Sequence, residues 1–164
     1  MTRLPSFGHR GEGWVAVQAV LLALVAGSGW LGPVAHGEVR LAAFMAGALL
    51  VLVGAAFVIL GSRSLNDGDA FTPLPYPRDR ARLVETGVYS LVRHPIYTGL
   101  VLGSFGWGFV TASPAAVVAG LGLLAFFELK SRREEIWLER RFPGYAAYRR
   151  RTPRLIPWIG GGRD

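Results

Sequence analysis

The sequence predicts an all-α fold, an integral membrane bundle of about four transmembrane helices with a C-terminal helix extending into the cytoplasm. Three observations predict it. First, 51% of the 164 residues are hydrophobic, only 18% are charged, and the mean hydropathy is +0.34. A water-soluble domain usually carries about 25% charged residues. Second, the ionisable residues are segregated, with long stretches that hold none and others dense in arginine. Third, the apolar stretches reach the ~20 residues that a helix needs to cross the hydrocarbon layer. The length suits one compact domain.

The first expected span is 14–34, within a stretch free of Asp, Glu, Lys and Arg from Glu12 to Glu38. A signal peptide has an apolar core of only about 7–15 residues, so this longer run reads as a retained span. The second span, 41–62, is the cleanest, and Gly47 and Gly54 suggest close helix packing within it. The third apolar stretch begins at Pro95 and ends at Phe127. As one helix it would be about 50 Å long at about 1.5 Å per residue, against about 30 Å of hydrocarbon. Thr111-Ala-Ser-Pro114 offers a break, with Ser113 as the cap and Pro114 at the first helical position. The stretch therefore reads as a hairpin of spans 95–111 and 114–129. Gly99, Gly103, Gly106 and Gly108 on the first arm are expected to let that hairpin close tightly. Nothing between Pro114 and Arg141 breaks a helix, so the last span continues out of the bilayer.

Four spans put both termini on one side, and the basic residues agree. Seventeen of the 18 fall on that side, with Arg40 the exception. The positive-inside rule makes it the cytoplasm. The loop 63–94 and the tail 130–164 are then both cytoplasmic and form the expected site, at what reads as a bacterial inner (cell) membrane.

Composition also narrows the chemistry. With no cysteine there is no thiolate metal site or cysteine nucleophile. His9, His36 and His94 lack the spacing of a zinc site, and no metal is expected. The net charge of +7 flanks apolar spans, which points to the membrane bilayer as partner and not to nucleic acid. No G-x-G-x-x-G follows a predicted strand, and no P-loop is present. In the loop, Phe71-Thr-Pro-Leu-Pro-Tyr-Pro77 dictates an extended path. Tyr89, Arg93, His94 and Tyr97 gather polar rings and a cation where the third span begins, although Tyr and Arg also serve as plain interfacial anchors. In the tail, Glu128 and Glu135 lie seven residues apart on one helix face. Glu128, near the apolar boundary, needs a partner. Trp137, Phe142, Tyr145 and Tyr148 suggest a segment lying along the membrane interface.

Gly87-Val-Tyr-Ser-Leu-Val-Arg-His-Pro-Ile-Tyr-Thr-Gly99, a hairpin, Glu134-Glu135, Phe142, two spaced tyrosines and Thr152-Pro-Arg-Leu-Ile-Pro157 follow in that order. This series resembles the isoprenylcysteine carboxyl methyltransferase family, whose relatives include phospholipid N-methyltransferases. The resemblance covers about residues 61–159. It implies a membrane methyltransferase that uses S-adenosylmethionine without a dinucleotide-binding domain and acts on a lipophilic small-molecule or lipid acceptor. By matching positions it implies that Leu83, Val84, Tyr89, His94, Pro95, Ile96, Tyr97 and Glu134 line the cofactor site. It places Lys130 where the family carries a substrate-side arginine, with Arg133 as a neighbouring alternative. Ala81 stands where the family often has histidine. The implied transfer is in-line, onto a carboxyl, amine or hydroxyl group. Two other readings stay open at this point: a membrane reductase of the sterol-reductase type using NADPH, and a non-catalytic membrane scaffold.

Overall fold

The computed structural model describes residues 11–31, 36–68 and 82–157. The proline-rich segment 71–77, Ala81, the end of the first expected span and the tail beyond 157 lie outside the described residues. Five α-helices appear in order: α1 (Glu12–Ser28), α2 (Gly37–Asp67), α3 (Pro95–Val110), α4 (Pro114–Arg141) and α5 (Tyr145–Arg151). A short 3-10 turn, Gly87–Ser90, precedes α3. The chain is an all-helical membrane bundle. By length and composition, α2 and α4 are apolar enough to cross a bilayer, while α1 and α3 are shorter apolar helices.

The helices pack as a series: α2 on α3, α3 on α4, and α1 on α4 and the flank of α3. α2 lies at one side, and its Leu41, Met45, Leu49 and Leu52 stay 62–69% exposed. In water such a face would be a large apolar patch. In a bilayer it is solvated by acyl chains.

The α2–α3 seam is built from glycines at heptad spacing. Gly47, Gly54 and Gly61 are the buried residues of α2. A Cβ placed on Gly99 would meet the Gly54 carbonyl oxygen at 2.4 Å, and one on Gly106 would meet the Gly47 oxygen at 2.7 Å. The backbones therefore touch, as small-residue interfaces permit in membranes. This corrects the expectation that the α3 glycines serve the α3–α4 hairpin. Gly99 and Gly106 face α2, Gly108 faces Val117 of α4, and Gly103 lays its backbone near Gly54 while a Cβ on it would meet open space. The break between α3 and α4 lies at 111–113. There Ser113 Oγ accepts from Ala116 N at 3.3 Å and donates to the Ser28 carbonyl at 2.8 Å. The same hydroxyl thus caps α4 and ties it to the end of α1.

The glycine seam makes a testable contrast. Gly99→Ala forces overpacking against backbone and is expected to cost about 1–3 kcal/mol. Gly103→Ala meets nothing within 4 Å, so stability is expected to hold within about 0.5 kcal/mol or rise slightly. Thermal unfolding in detergent, followed by circular dichroism, measures both.

Candidate active site

The site forms where the start of α3 and the C-terminal half of α4 meet the chain after α5. Pro95 at the first position of α3 leaves Arg93 and His94 just ahead of the helix. The segment 152–155 runs beside them as a strap. Arg93 N donates to the Pro153 carbonyl at 2.9 Å and His94 N to the Arg154 carbonyl at 3.1 Å. Thr98 Oγ1 donates to the Leu155 carbonyl at 2.7 Å.

Arg93 fastens this junction. Its Nε donates to Glu135 Oε1 at 2.8 Å, with both side chains 3% exposed. Its Nη1 donates to the Arg149 carbonyl at 2.8 Å and also to the Thr152 carbonyl. Arg154 adds a second guanidinium, with Nη2 on Glu135 Oε2 at 3.0 Å and Nη1 on Glu128 Oε1 at 2.6 Å. The partner that Glu128 requires is therefore Arg154, together with Arg132 one turn on. Glu135 is no solvated surface charge. Burial alone would raise its pKa, but the bond and charge from His94, then Arg154 and Arg93, hold it well below the usual carboxylate range.

Glu134, the next residue, points to a different set of groups. Tyr97 donates its hydroxyl to Glu134 Oε1 at 2.5 Å, and His94 Nδ1 lies 3.4 Å from Oε2. His94 Nε2 lies 3.3 Å from Glu135 Oε1, so the imidazole bridges both carboxylates. Burial would lower the His94 pKa, but its bonds to Glu134 and Glu135 outweigh burial and raise it. The Tyr97 ring stacks between His94, at 5.5 Å, and Phe127, at 4.4 Å. The ammonium of Lys130 lies 5.0 Å from that ring's centre. It donates to Gln18 Oε1 of α1 at 2.6 Å and is 1% exposed.

The structure thus brings His94, Tyr97, Lys130 and Glu134 together. Tyr89 is buried behind them, its carbonyl accepting from the Tyr148 hydroxyl at 2.6 Å. Burial, Tyr148 and the Glu134 charge push its phenol pKa up. Pro95 and Ile96 turn away and pack on Gly61 of α2. Val84 packs near Gly68 at the end of α2, and Leu83 lies near Gly144. Arg133 stacks over Trp137 at 4.7 Å, and its buried Nε has no hydrogen-bond partner among the described residues. Tyr145 and Tyr148 are 1% and 2% exposed. They pack inward, which corrects the expectation that they lie along the membrane interface. The three-residue spacing puts both rings on the inner face of α5, and the buried Tyr145 hydroxyl has no partner among the described residues. Beside Glu135, a polar cleft of about 340 Å³ is lined by Arg132, Glu135, Ile136, Glu139, Arg149 and Arg154. Its arginines already pair with Glu128, Glu135 and Glu139, so it belongs to the ion-pair network that holds the strap. Among the described residues, no group of three or more His, Cys, Asp or Glu is placed to hold a metal ion.

Two participants receive no role from the sequence. Gln18 lies outside the motif-bearing segments, although it is the single amide in the α1 sequence. Such a group in a span signals function. Arg154 pairs with carboxylates 19 and 26 residues away, a juxtaposition that needs the fold.

Comparison with known proteins adds an independent finding. The sequence pattern of the phospholipid methyltransferase family matches residues 42–144. The chain is 31% identical to the nickel-cobalt-cadmium resistance protein NccN of Alcaligenes xylosoxydans xylosoxydans over 91% of this chain and 65% of that protein. It is 40% identical to the cobalt-zinc-cadmium resistance protein CzcN of Cupriavidus metallidurans over 49% of this chain and 38% of that protein. It is 30% identical to protein-S-isoprenylcysteine O-methyltransferase B of Arabidopsis thaliana over 65% of this chain and 58% of that protein. The chain thus spans less than two thirds of the length of these relatives. No solved structure matches it.

Two outcomes follow from the buried charges. Arg93→Met leaves Glu135 without its nearest cation, and breaking such a buried pair is expected to cost about 3–5 kcal/mol; chemical denaturation in mixed micelles measures it. The pH dependence has two limbs. Glu135, lowered in the fold, contributes stability above its ordinary pKa of 4.5, and that contribution is lost as pH falls. His94, raised in the fold, contributes fully below its ordinary 6.5 and loses that contribution as pH climbs through its raised value. The thermal midpoint should therefore peak between pH 4.5 and 6.5. His94→Asn should flatten the alkaline limb.

Proposed function

We infer the chemistry of this site from one premise: the chain belongs to the phospholipid methyltransferase family. We propose that it is an integral membrane methyltransferase that uses S-adenosylmethionine and transfers the methyl group in line to a lipophilic, membrane-embedded acceptor. Helices α1 to α4 are proposed as four spans, 14–34, 41–62, 95–111 and 114–129, in a bacterial inner membrane. Both termini, the loop 63–94 and the tail 130–164 then face the cytoplasm.

The observation that carries the proposal is the pair of unlike charges across Tyr97. Glu134 lies on the hydroxyl side of the tyrosine, with its side chain 13% exposed. Lys130 lies over the ring. When bound, S-adenosylmethionine supplies a methyl group already activated on a sulfonium. The residues fit such a cation. Glu134 is a nearly dry carboxylate whose rotamer is locked by Tyr97 and His94. Among the described residues, the buried hydroxyl of Tyr145 and the buried Nε of Arg133 have no hydrogen-bond partner, which leaves donors for the cofactor's anionic and polar atoms. Tyr89 and Leu83 contribute the surrounding wall, while Val84, Pro95 and Ile96 support it from the side packed on α2.

The chain's own part is mainly placement. Glu134 anchors positive charge through Coulomb attraction in a site of low dielectric. The stacked rings of His94, Tyr97 and Phe127 keep water away and fix the geometry, which is what a displacement at an activated carbon most needs. Lys130, with Arg133 beside it, orients the acceptor.

Calorimetric titration with S-adenosylmethionine, which carries the sulfonium charge, tests the reading. Wild type should bind saturably. Glu134→Gln should weaken binding by about tenfold or more, the loss of one charge-assisted contact in a dry site. Tyr97→Phe should weaken it by about threefold, since Glu134 then loses an orienting bond but keeps its charge. A folded wild type that binds nothing would overturn the proposal.

A further inference from the structure

His94 turns each ring nitrogen to a carboxylate. Nδ1 lies 3.4 Å from Glu134 Oε2, and Nε2 lies 3.3 Å from Glu135 Oε1. A neutral imidazole has one N–H and one lone pair, so it would set that lone pair against a carboxylate oxygen. An imidazolium donates from both nitrogens and satisfies both carboxylates. Charged and titratable groups surround the ring from every element packed on it. Glu134 and Glu135 stand on α4, with Lys130 one turn earlier, over the Tyr97 ring. Tyr97 of α3 stacks on the imidazole, and Arg93 precedes it in the chain. Arg154 of the strap and Arg149 of α5 reach Glu135. Tyr89, ahead of α3, and Tyr145, on α5, are phenols that burial keeps neutral.

The two carboxylates are unequally supplied with cations. Glu135 keeps Arg93 and Arg154 whatever the state of His94. Glu134 meets His94 directly, while Lys130 stands off across the Tyr97 ring. Arg93 and Arg154 balance the two glutamates, so an imidazolium leaves the cluster positive. A further cation brought to Glu134 then meets like charge in a site of low dielectric, where repulsion is strong. Loss of one proton removes that repulsion. Nδ1 faces Glu134 and is the nitrogen that yields it. Nε2 keeps its N–H on Glu135, so the strap stays fastened.

We propose that His94 is a positioning residue that separates cofactor from spent product by charge: its Nδ1 proton and the cofactor's positive charge exclude each other at Glu134. The inference rests on the methyltransferase reading and adds to it a proton exchange and a basis for product release. S-adenosylmethionine differs from S-adenosylhomocysteine by one methyl group and one positive charge. As the charged cofactor binds, the Nδ1 proton leaves for bulk water. After transfer the sulfur is a neutral thioether, and His94 takes a proton back from water and reclaims Glu134. At His94 the exchange balances, one proton out and one in. The ring takes no part in the bonds to carbon. Although burial opposes a charge on His94, its two carboxylate bonds raise its basicity and hold the resting ring protonated.

The test is nitrogen NMR of the full chain in neutral detergent, with isotope-labelled histidine, at pH 6.5, the ordinary histidine value. His9→Asn and His36→Asn together leave His94 as the single histidine. Without ligand, both ring nitrogens should be protonated in more than half of the molecules, where an unshifted histidine would be half protonated. Saturating S-adenosylmethionine should strip Nδ1 and leave Nε2 protonated. S-adenosylhomocysteine should leave both protonated. Calorimetry in buffers of different ionisation enthalpy counts the protons: close to one released with S-adenosylmethionine, close to none with S-adenosylhomocysteine. Affinity for the charged ligand should climb by up to about tenfold per pH unit below the pKa of His94, and affinity for the neutral one should stay flat. His94→Asn should remove that slope. If the variant does not fold, the contrast between the two ligands on wild type decides the point. A ligand-free His94 that is half protonated or less would overturn the proposal and leave the methyltransferase reading intact. Equal proton counts for the two ligands, or a His94 still charged with S-adenosylmethionine bound, would do the same. A folded chain that binds neither ligand would overturn both.

Discussion

Everything at the Arg93 end of this bundle depends on the buried contact between Arg93 and Glu135. Taking two charges out of water costs several kcal/mol per ion, and the cost is recovered only where geometry is good and the remaining donors are satisfied. Here they are. Arg93 binds a carboxylate on α4 and two carbonyls of the C-terminal region, 42, 56 and 59 residues away in sequence. Glu135 in turn receives His94 and Arg154. Remove the pair and α3, α4 and the strap lose their common fixing point.

That contact also explains why two adjacent glutamates behave differently. Consecutive residues on a helix differ in direction by about 100°. With Glu135 committed to Arg93 and Arg154, Glu134 is turned toward Tyr97. One carboxylate holds the fold and the other faces the site. His94 touches both and couples them, so a change at the site's carboxylate is felt by the one that holds the strap. Two packing devices carry this arrangement. The glycine seam sets α3 against α2 at backbone contact, which fixes where His94 and Tyr97 stand. The packing of α1 on α4 sets Gln18 beside Lys130.

Much of this was legible in the sequence. Charge-free runs marked the apolar helices, because hydropathy and length act locally. Ser113-Pro114 marked the hairpin break for the same reason, and the uninterrupted run to Arg141 marked the long α4. His94, Tyr97, Lys130 and Glu134 were recognisable from their motif and do converge. What was not legible depends on which face meets which. The α3 glycines read as closing the hairpin with α4, and only the register of the folded pair assigns Gly99 to Gly54 of α2. Tyr145 and Tyr148 look like interfacial aromatics until α5 is seen turned inward. Glu135 looked like one of many helical surface charges, because its partners Arg93 and Arg154 are remote in the chain.

The central claim is that the cofactor binds between the entry to α3 and the Glu134 face of α4. The most direct measurement is ultraviolet cross-linking of methyl-labelled S-adenosylmethionine to the detergent-purified chain, with the labelled peptides mapped by mass spectrometry. Label is expected within residues 82–97 and 130–145, suppressed by excess S-adenosylhomocysteine. Label confined to other segments, or label that the excess does not suppress, would contradict the claim.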